Sequence, residues 1–292
     1  MSEAVQSRNE TIQSIDGGAS RRHIRFVEKI AGDDRVLMFF KDPAPCYAIL
    51  PEAPATATGT IAAEPRGDEL EVAILTMPTL AQGLPSAMHQ RFAEWMEKGD
   101  DPAAPPPVPV KVRGVELMWR PGRVLLQCEP EQVESLLSAV VEFTHYECEL
   151  RRIEDEIAGS WAELEQDKAL AFEVTTADLK RSPAVGARMN RALQRRIRLA
   201  RIEPYLWEPE ASLPAAGRKL GEELRAKARI EARLEAANDH IEVFEDIYEM
   251  SGQRMGEYRA AQTDHILEWI IIILIAAETI LLLAQMVWKF GV

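Results

Sequence analysis

The sequence predicts an α+β fold: a strand-rich N-terminal half, then a helical C-terminal half whose long last helix continues into a single transmembrane helix. Three observations carry this prediction. Short apolar runs bounded by Pro, Gly and Asp crowd residues 36–128. From Pro130 onward apolar residues recur at helical spacing instead. The chain then closes on HILEWIIIILIAAETILLLAQMVWKFGV.

Taken in order, residues 1–22 read as a flexible N-terminus and 23–213 as a soluble α+β domain. Its strands are expected at Val36–Phe40, Tyr47–Leu50, Leu70–Leu75, Val115–Trp119 and Val124–Cys128, the last two joined as a hairpin through Arg120-Pro-Gly-Arg123. Leu84, Met88, Phe92, Trp95 and Met96 have helical spacing between them. Residues 101–110 are proline-rich and read as a stiff surface loop. Pro130 opens a helix whose apolar stripe runs through Tyr146, Leu150, Ile153, Ile157, Trp161 and Leu164. Residues 214–266 form a long amphipathic helix of coiled-coil type, and 267–289 the span.

Composition narrows the function. A hydrophobic content of 47% with 28% charged residues belongs to a globular chain, and 292 residues suffice for a sizeable core. The net charge of -13 argues against general nucleic-acid binding. Cys46, Cys128 and Cys148 are odd in number and lack zinc-ligand spacing, which suits a reducing compartment. The first twenty residues carry Glu3, Glu10 and Asp16 without an apolar core, so neither a secretory signal nor a mitochondrial transit peptide is expected.

Catalytic motifs are missing from the sequence: there is no Gly-rich phosphate loop, HExxH helix or GxSxG elbow. His145 and Cys148 form an H-x-x-C pair, but without two further ligands a packed structural role is expected. No catalytic residue, metal ligand or cofactor is assigned.

From Trp269 to Trp288 there are 20 residues, about 30 Å of helix, the thickness of a bilayer's hydrocarbon core. Both tryptophans stand where amphipathic rings prefer the headgroup level, and Lys289 can snorkel outward beyond them. This reads as a C-terminal anchor with the rest of the chain cytosolic. Glu278 falls near mid-bilayer, where an ionised carboxylate costs about 3 kcal/mol on the gentlest scale. The reading favoured for it is an inter-chain hydrogen bond with another copy of the helix. Toleration through local thinning and a conduction role in an oligomer rank below.

Above the span, Leu234, Ile241, Tyr248 and Met255 share a seven-residue register, and Phe244 and Tyr258 belong to a second row offset by three. This is a/d geometry, and self-association through Leu234, Ile241, Phe244, Tyr248, Met255 and Tyr258 is the expectation, against ordinary packing on the same chain. Unbroken from Arg218 to Gly291, the helix would measure roughly 110 Å.

Residues 180–201 (KRSPAVGARMNRALQRRIRLAR) hold eight basic side chains and no acid. Arg188, Arg191, Arg195 and Arg198 repeat at three and four, aligning guanidinium groups that would suit the phosphates of RNA or anionic lipid. With 47 acids in the chain, internal pairing is the stronger expectation, at about two to one.

PYLWEPE (Pro204 to Glu210), the charged helix after it, and LEWIIIILIAAE (Leu267 to Glu278) resemble the Required for Meiotic Nuclear Division (Rmd/Sif) family, long catalogued as a domain of unknown function. The likeness rests on Trp207, Glu208, Pro209 and Glu210, then Leu267, Glu268, Trp269, Ile270, Ile271, Ile272 and Glu278, and is clearest over residues 200–285. It implies a membrane-anchored, oligomeric, non-enzymatic protein. The family's mitochondrial member supports organelle translation by holding ribosomes near the inner membrane, and fungal relatives are tied to meiotic division. The Ala-rich composition points instead to a bacterial cytoplasmic membrane. The resulting expectation is an oligomeric membrane scaffold whose cytosolic domain engages a macromolecular partner, a ribosome or RNA being the most specific. A channel or transporter built around Glu278 and an enzyme with an unrecognised pocket are the alternatives.

Overall fold

The computed structural model describes residues 13–15, 19–30, 34–51, 69–76, 92, 94–96 and 105–290, with the backbone alone for 13–15, 19 and 284–290. The α+β order expected from the sequence is present among the described residues: eight strands, with a short helical piece at Phe92 and Glu94–Met96 between β5 and β6, precede the long helices. The strands are β1 (Gln13–Ile15), β2 (Ala19–Val27), β3 (Arg35–Phe40), β4 (Cys46–Leu50), β5 (Glu69–Thr76), β6 (Val108–Val112), β7 (Val115–Arg120) and β8 (Arg123–Cys128). The long helices are α1 (Val133–Asp167), α2 (Ser182–Trp207), α3 (Ala215–Lys227) and α4 (Ile230–Phe290).

Seven strands lie in the order β3-β4-β2-β5-β8-β7-β6, and β1 pairs with the start of β2. All pairings are antiparallel except β5 with β8. A strand with a parallel partner in mid-sheet is covered on both faces, so β8 reads as unbroken burial rather than alternation. Beside it, β7 alternates strictly: Val115, Leu117 and Trp119 are buried and the residues between them are half-buried.

Two tight turns fix the register on this side. Pro121 and Gly122 join β7 to β8, with Gly122 at φ 77°, the positive value that the second turn position requires. Arg113 and Gly114 join β6 to β7, both at positive φ (39° and 86°), which matches the twist of a two-residue hairpin.

Two expectations change here, and a third is met where it can be followed. The stretch read as a flexible N-terminus holds β1 and the first half of β2, a central strand whose Arg21, Arg22 and Arg25 find Glu71, Glu134 and Glu69. Basic side chains in a strand are tolerated when acids stand opposite, and the pattern ASRRHIRFV conceals that from an apolar-run reading. The proline-rich loop continues into β6, at the sheet's edge, where Pro109 needs no ladder partner for its missing N–H; residues 101–104 lie outside the described residues. The helix expected around Leu84–Met96 is seen at Phe92 and Glu94–Met96, while Leu84 and Met88 fall outside the described residues.

The chain divides into two compact units: Met1–Asp155 with Ile197–Ala237, and Glu156–Arg196 with Asn238–Val292. In the first, one sheet face carries Phe40, Val72, Ile74, Trp119 and Leu126 toward the first half of α1. Trp119 Nε1 donates to Thr144 Oγ1 at 2.8 Å, and its ring meets Phe143 edge-on. On the opposite face Ala73, Leu75 and Leu125 pack with Phe92 and Met96. Arg123 donates to the Trp95 carbonyl at 2.8 Å there, giving this short helical piece a C-terminal cation.

The helix expected to run unbroken from Arg218 is two helices. Ala228 N–H returns to the Leu224 carbonyl at 2.8 Å, Arg229 takes φ 54°, and α4 starts at Ile230. Lys227, which interrupts the heptad row, marks the break. In α3, Gly217 lies against the start of α1: a Cβ there would stand 2.7 Å from the Ser135 carbonyl oxygen. Gly217→Ala is expected to lower unfolding free energy by about 1–3 kcal/mol, because backbone must shift to admit the methyl group. Thermal unfolding of the detergent-solubilised full chain followed by circular dichroism checks this.

Candidate functional site

From Ala139 to Glu147 every residue of α1 is buried. A helix enclosed on all sides must satisfy its polar side chains from within the protein. Glu142 Oε1 accepts from the Glu210 backbone N–H at 2.9 Å and from Arg225 Nη2 at 3.3 Å. Arg225, 6% exposed, donates also to the carbonyls of Tyr205 (2.7 Å) and Gly221 (3.0 Å) and lies 5.9 Å from the Phe143 ring centroid. Burial drives the Glu142 carboxyl above the ordinary carboxylate range even with Arg225 pulling it down.

The PYLWEPE segment therefore has a structural job. Glu210 and Tyr205 supply backbone groups to the Glu142–Arg225 pair, and Pro209 faces the space a Gly221 Cβ would take. Tyr205 stacks on Tyr146 with ring centroids 4.5 Å apart and donates its hydroxyl to Asp42 Oδ2 at 3.3 Å. Trp207 is turned outward, half exposed.

His145 stacks on Phe40 at 3.9 Å, with Nε2 3.3 Å from the Asp42 carbonyl oxygen. Burial lowers its pKa to about 4. Its H-x-x-C partner Cys148 is pushed up to about 12, chiefly by burial. Among the described residues no cluster of His, Cys, Asp and Glu could hold a metal ion.

One turn on, Glu147 accepts from Arg151 at 2.5 Å and Arg233 at 2.9 Å, and Arg233 spans to Glu154 at 2.6 Å. Glu149 takes Arg152 and, at 3.7 Å, Arg198.

Arg198 belongs to the stripe singled out as a phosphate-binding face, and all four of its arginines are engaged by acids of α1. Arg195, 7% exposed, reaches Glu156 at 3.3 Å and Ser160 at 2.6 Å. Arg191 pairs with Glu163; Arg188 pairs with Asp167 and lies 3.5 Å from Glu163. Arg181 joins Asp167 as well, and that carboxylate is fully buried. The anionic-partner assignment of Arg188, Arg191, Arg195 and Arg198 is thus corrected: their guanidinium groups are committed within the chain. The signal was present in the sequence, since Glu149, Glu156 and Glu163 recur every seven residues and complement the three–four spacing of the arginines.

The self-association seam is corrected in the same sense. Leu234, Ile241, Phe244, Tyr248 and Met255 are each at most 3% exposed within one chain. Phe244 meets Trp161 at 4.9 Å, and the Arg195 guanidinium lies over its ring at 6.0 Å from the centroid. Tyr258, half-buried, shares a 2.9 Å hydrogen bond with Thr176 Oγ1. The heptad rows mark a stripe spent on intramolecular packing, which has the same a/d periodicity as a coiled coil.

Beyond Tyr258 every described residue of α4 is exposed, from Arg259 to Leu283. This stretch is long and apolar enough to cross a membrane, and none of it is buried. Trp269 donates to His265 Nε2 at 3.2 Å, and Thr279 returns its hydroxyl to the Ile275 carbonyl at 2.8 Å. Glu278 lies on this uncovered part; the side chains of Trp288 and Lys289 are outside the described residues. Compared with known proteins, the chain matches no family model and no curated protein.

Two predictions follow from the enclosed helix. Arg225→Met leaves the Glu142 carboxylate without its counter-ion and should cost about 3–5 kcal/mol, much of it recovered when Glu142→Gln is added; melting of the single and double variants checks it. For His145 the folded pKa of about 4 lies below the unfolded value of about 6.5. The unfolded chain therefore binds the extra proton between those values, and stability falls as pH drops through that window by on the order of 3 kcal/mol. His145→Gln should flatten that slope in denaturant titrations across the same pH range.

Proposed function

We propose that this protein is a non-enzymatic, membrane-anchored scaffold: α4 pins an α+β domain to a lipid bilayer, and neighbouring copies meet through their spans at Glu278. The observation carrying the proposal is the change of character along α4. Up to Met255 the helix buries one stripe against its own chain; from Ile266 onward it is apolar on all sides with nothing over it. An apolar surface of this extent is an aggregation liability in water, and a bilayer is the medium that removes the cost.

A single acid then faces hydrocarbon. Hydrogen bonding between copies shields Glu278 from lipid, and Thr279 and Gln285 stand close to it in sequence. The resemblance to the Rmd/Sif family supports the same outline of anchor, assembly and scaffold. It also supports a macromolecular partner for a cytosolic domain, with translation at a membrane as the most specific form. Since the arginines of α2 are paired internally, such a partner would be met elsewhere on the domain.

In membranes from cells making the full chain, the protein should resist alkaline carbonate; recovery in the wash removes the anchor. After mild detergent extraction the particle should exceed the 32.8 kDa of one chain plus its micelle. Glu278→Leu should bring it down to that size, and an unchanged assembly removes the contact role.

A further inference from the structure

The link between α1 and α2 is an ordered structure. A 3-10 turn, Lys168–Ala171, buries Leu170 and Ala171. The N–H groups of Phe172 and Glu173 both return to the Ala169 carbonyl, at 3.1 and 3.0 Å. Asp178 then accepts from the Thr175 backbone N–H at 3.0 Å and its hydroxyl at 2.6 Å, closing the next turn. With its backbone held in this way, the link presents Phe172 to the outside at 79% exposure, the highest of any large apolar side chain among the described residues.

This link is fastened to the part of α4 that leads into the span. Thr176 shares a hydrogen bond with Tyr258, and Val174 lines a small surface hollow with Arg254, Tyr258 and Ala261. From Ala261 to Trp269 there are eight residues, about 12 Å along the helix axis. The polar layer of a bilayer is about 5–8 Å deep on each side of the hydrocarbon, and a helix tilt of about 20° lowers one flank further. Tyr258, which holds the link, is 11 residues before Trp269, about 16 Å along the axis. Phe172 is therefore displayed within two residues of a segment that borders α4 over the turns just above the lipid headgroups.

We infer that the turn carrying Phe172 is a second membrane contact, inserting its ring among the lipid headgroups beside the span. The occupant is lipid rather than protein because the ring belongs to the same compact unit as the anchor and its link borders the last turns of α4 before the span. The nearby cations are already paired, Lys168 with Glu165 and Arg254 with Glu257, so the ring rather than a basic patch makes the contact. An aromatic ring suits this layer. Two points of attachment, one spanning and one resting, would fix the rotation of the anchored unit about its helix.

The inference rests on α4 crossing a membrane, and its test separates the two. A photoreactive benzophenone side chain is placed at position 172, 243 or 275 of the full chain, reconstituted in bilayers of zwitterionic and anionic phospholipid. Val243 is 26 residues above Trp269, about 39 Å up the axis and clear of lipid. After irradiation, mass spectrometry should find phospholipid adducts at 275 and 172 and none at 243. Adducts at 275 with none at 172, or with a cross-link from 172 to a second polypeptide, overturn the inference while leaving the anchor in place. Failure at 275 overturns the anchor, and this contact with it.

Discussion

A helix sealed inside a protein cannot hand its carboxylates to water, and α1 from Ala139 to Leu150 is buried at every residue but Cys148. Glu142, Glu147 and Glu149 together with His145 and Thr144 are buried there. Each needs a partner from another element, and those partners arrive from β7, the turn before β4, α2, α3 and the start of α4. Removing two charges from water costs several kcal/mol per ion before their attraction is counted. These pairs consequently hold the elements in one arrangement more than they add to stability. The Glu142–Arg225 pair shows the logic: three of the groups holding it are backbone atoms, at Tyr205, Glu210 and Gly221, so the polypeptide itself must follow one path around the carboxylate.

The same reasoning reassigns the basic helix. In an acidic protein a run of eight cations is conspicuous, and a row of guanidinium groups suits phosphate well. Here the row faces glutamates of α1 set at a matching interval. Arg188, Arg191 and Arg195 act as struts between two helices, with the guanidinium group of Arg195 also lying over the Phe244 ring.

Most of the architecture was legible because hydrophobic pattern and secondary structure share a period. The strands at Tyr47–Leu50, Leu70–Leu75 and Val115–Cys128 and the stripe of α1 fall where alternation and three–four spacing put them. What escaped was coded by relations between distant residues. β2 looks unlike a strand until Glu69, Glu71 and Glu134 are set beside its arginines, and β6 hides behind prolines that only a sheet edge accepts. At the exposed end of α4, composition alone marked the apolar run. A heptad row, however, has the same appearance whether its cover is another copy or the same chain, and only the fold shows that Phe244 and Tyr248 are already occupied. PYLWEPE stood out in the sequence, yet its service to Glu142 depends on three elements converging.

The unbroken winding of α4 ties two directions together. Each residue turns the helix by about 100°, so over the 23 residues from Met255 to Glu278 the bearing changes by about 140° after whole turns are removed. Glu278 consequently looks away from the flank that Met255 turns toward its own chain. Spans meeting carboxyl to carboxyl would leave those packed flanks on the outside of the assembly, like figures standing back to back.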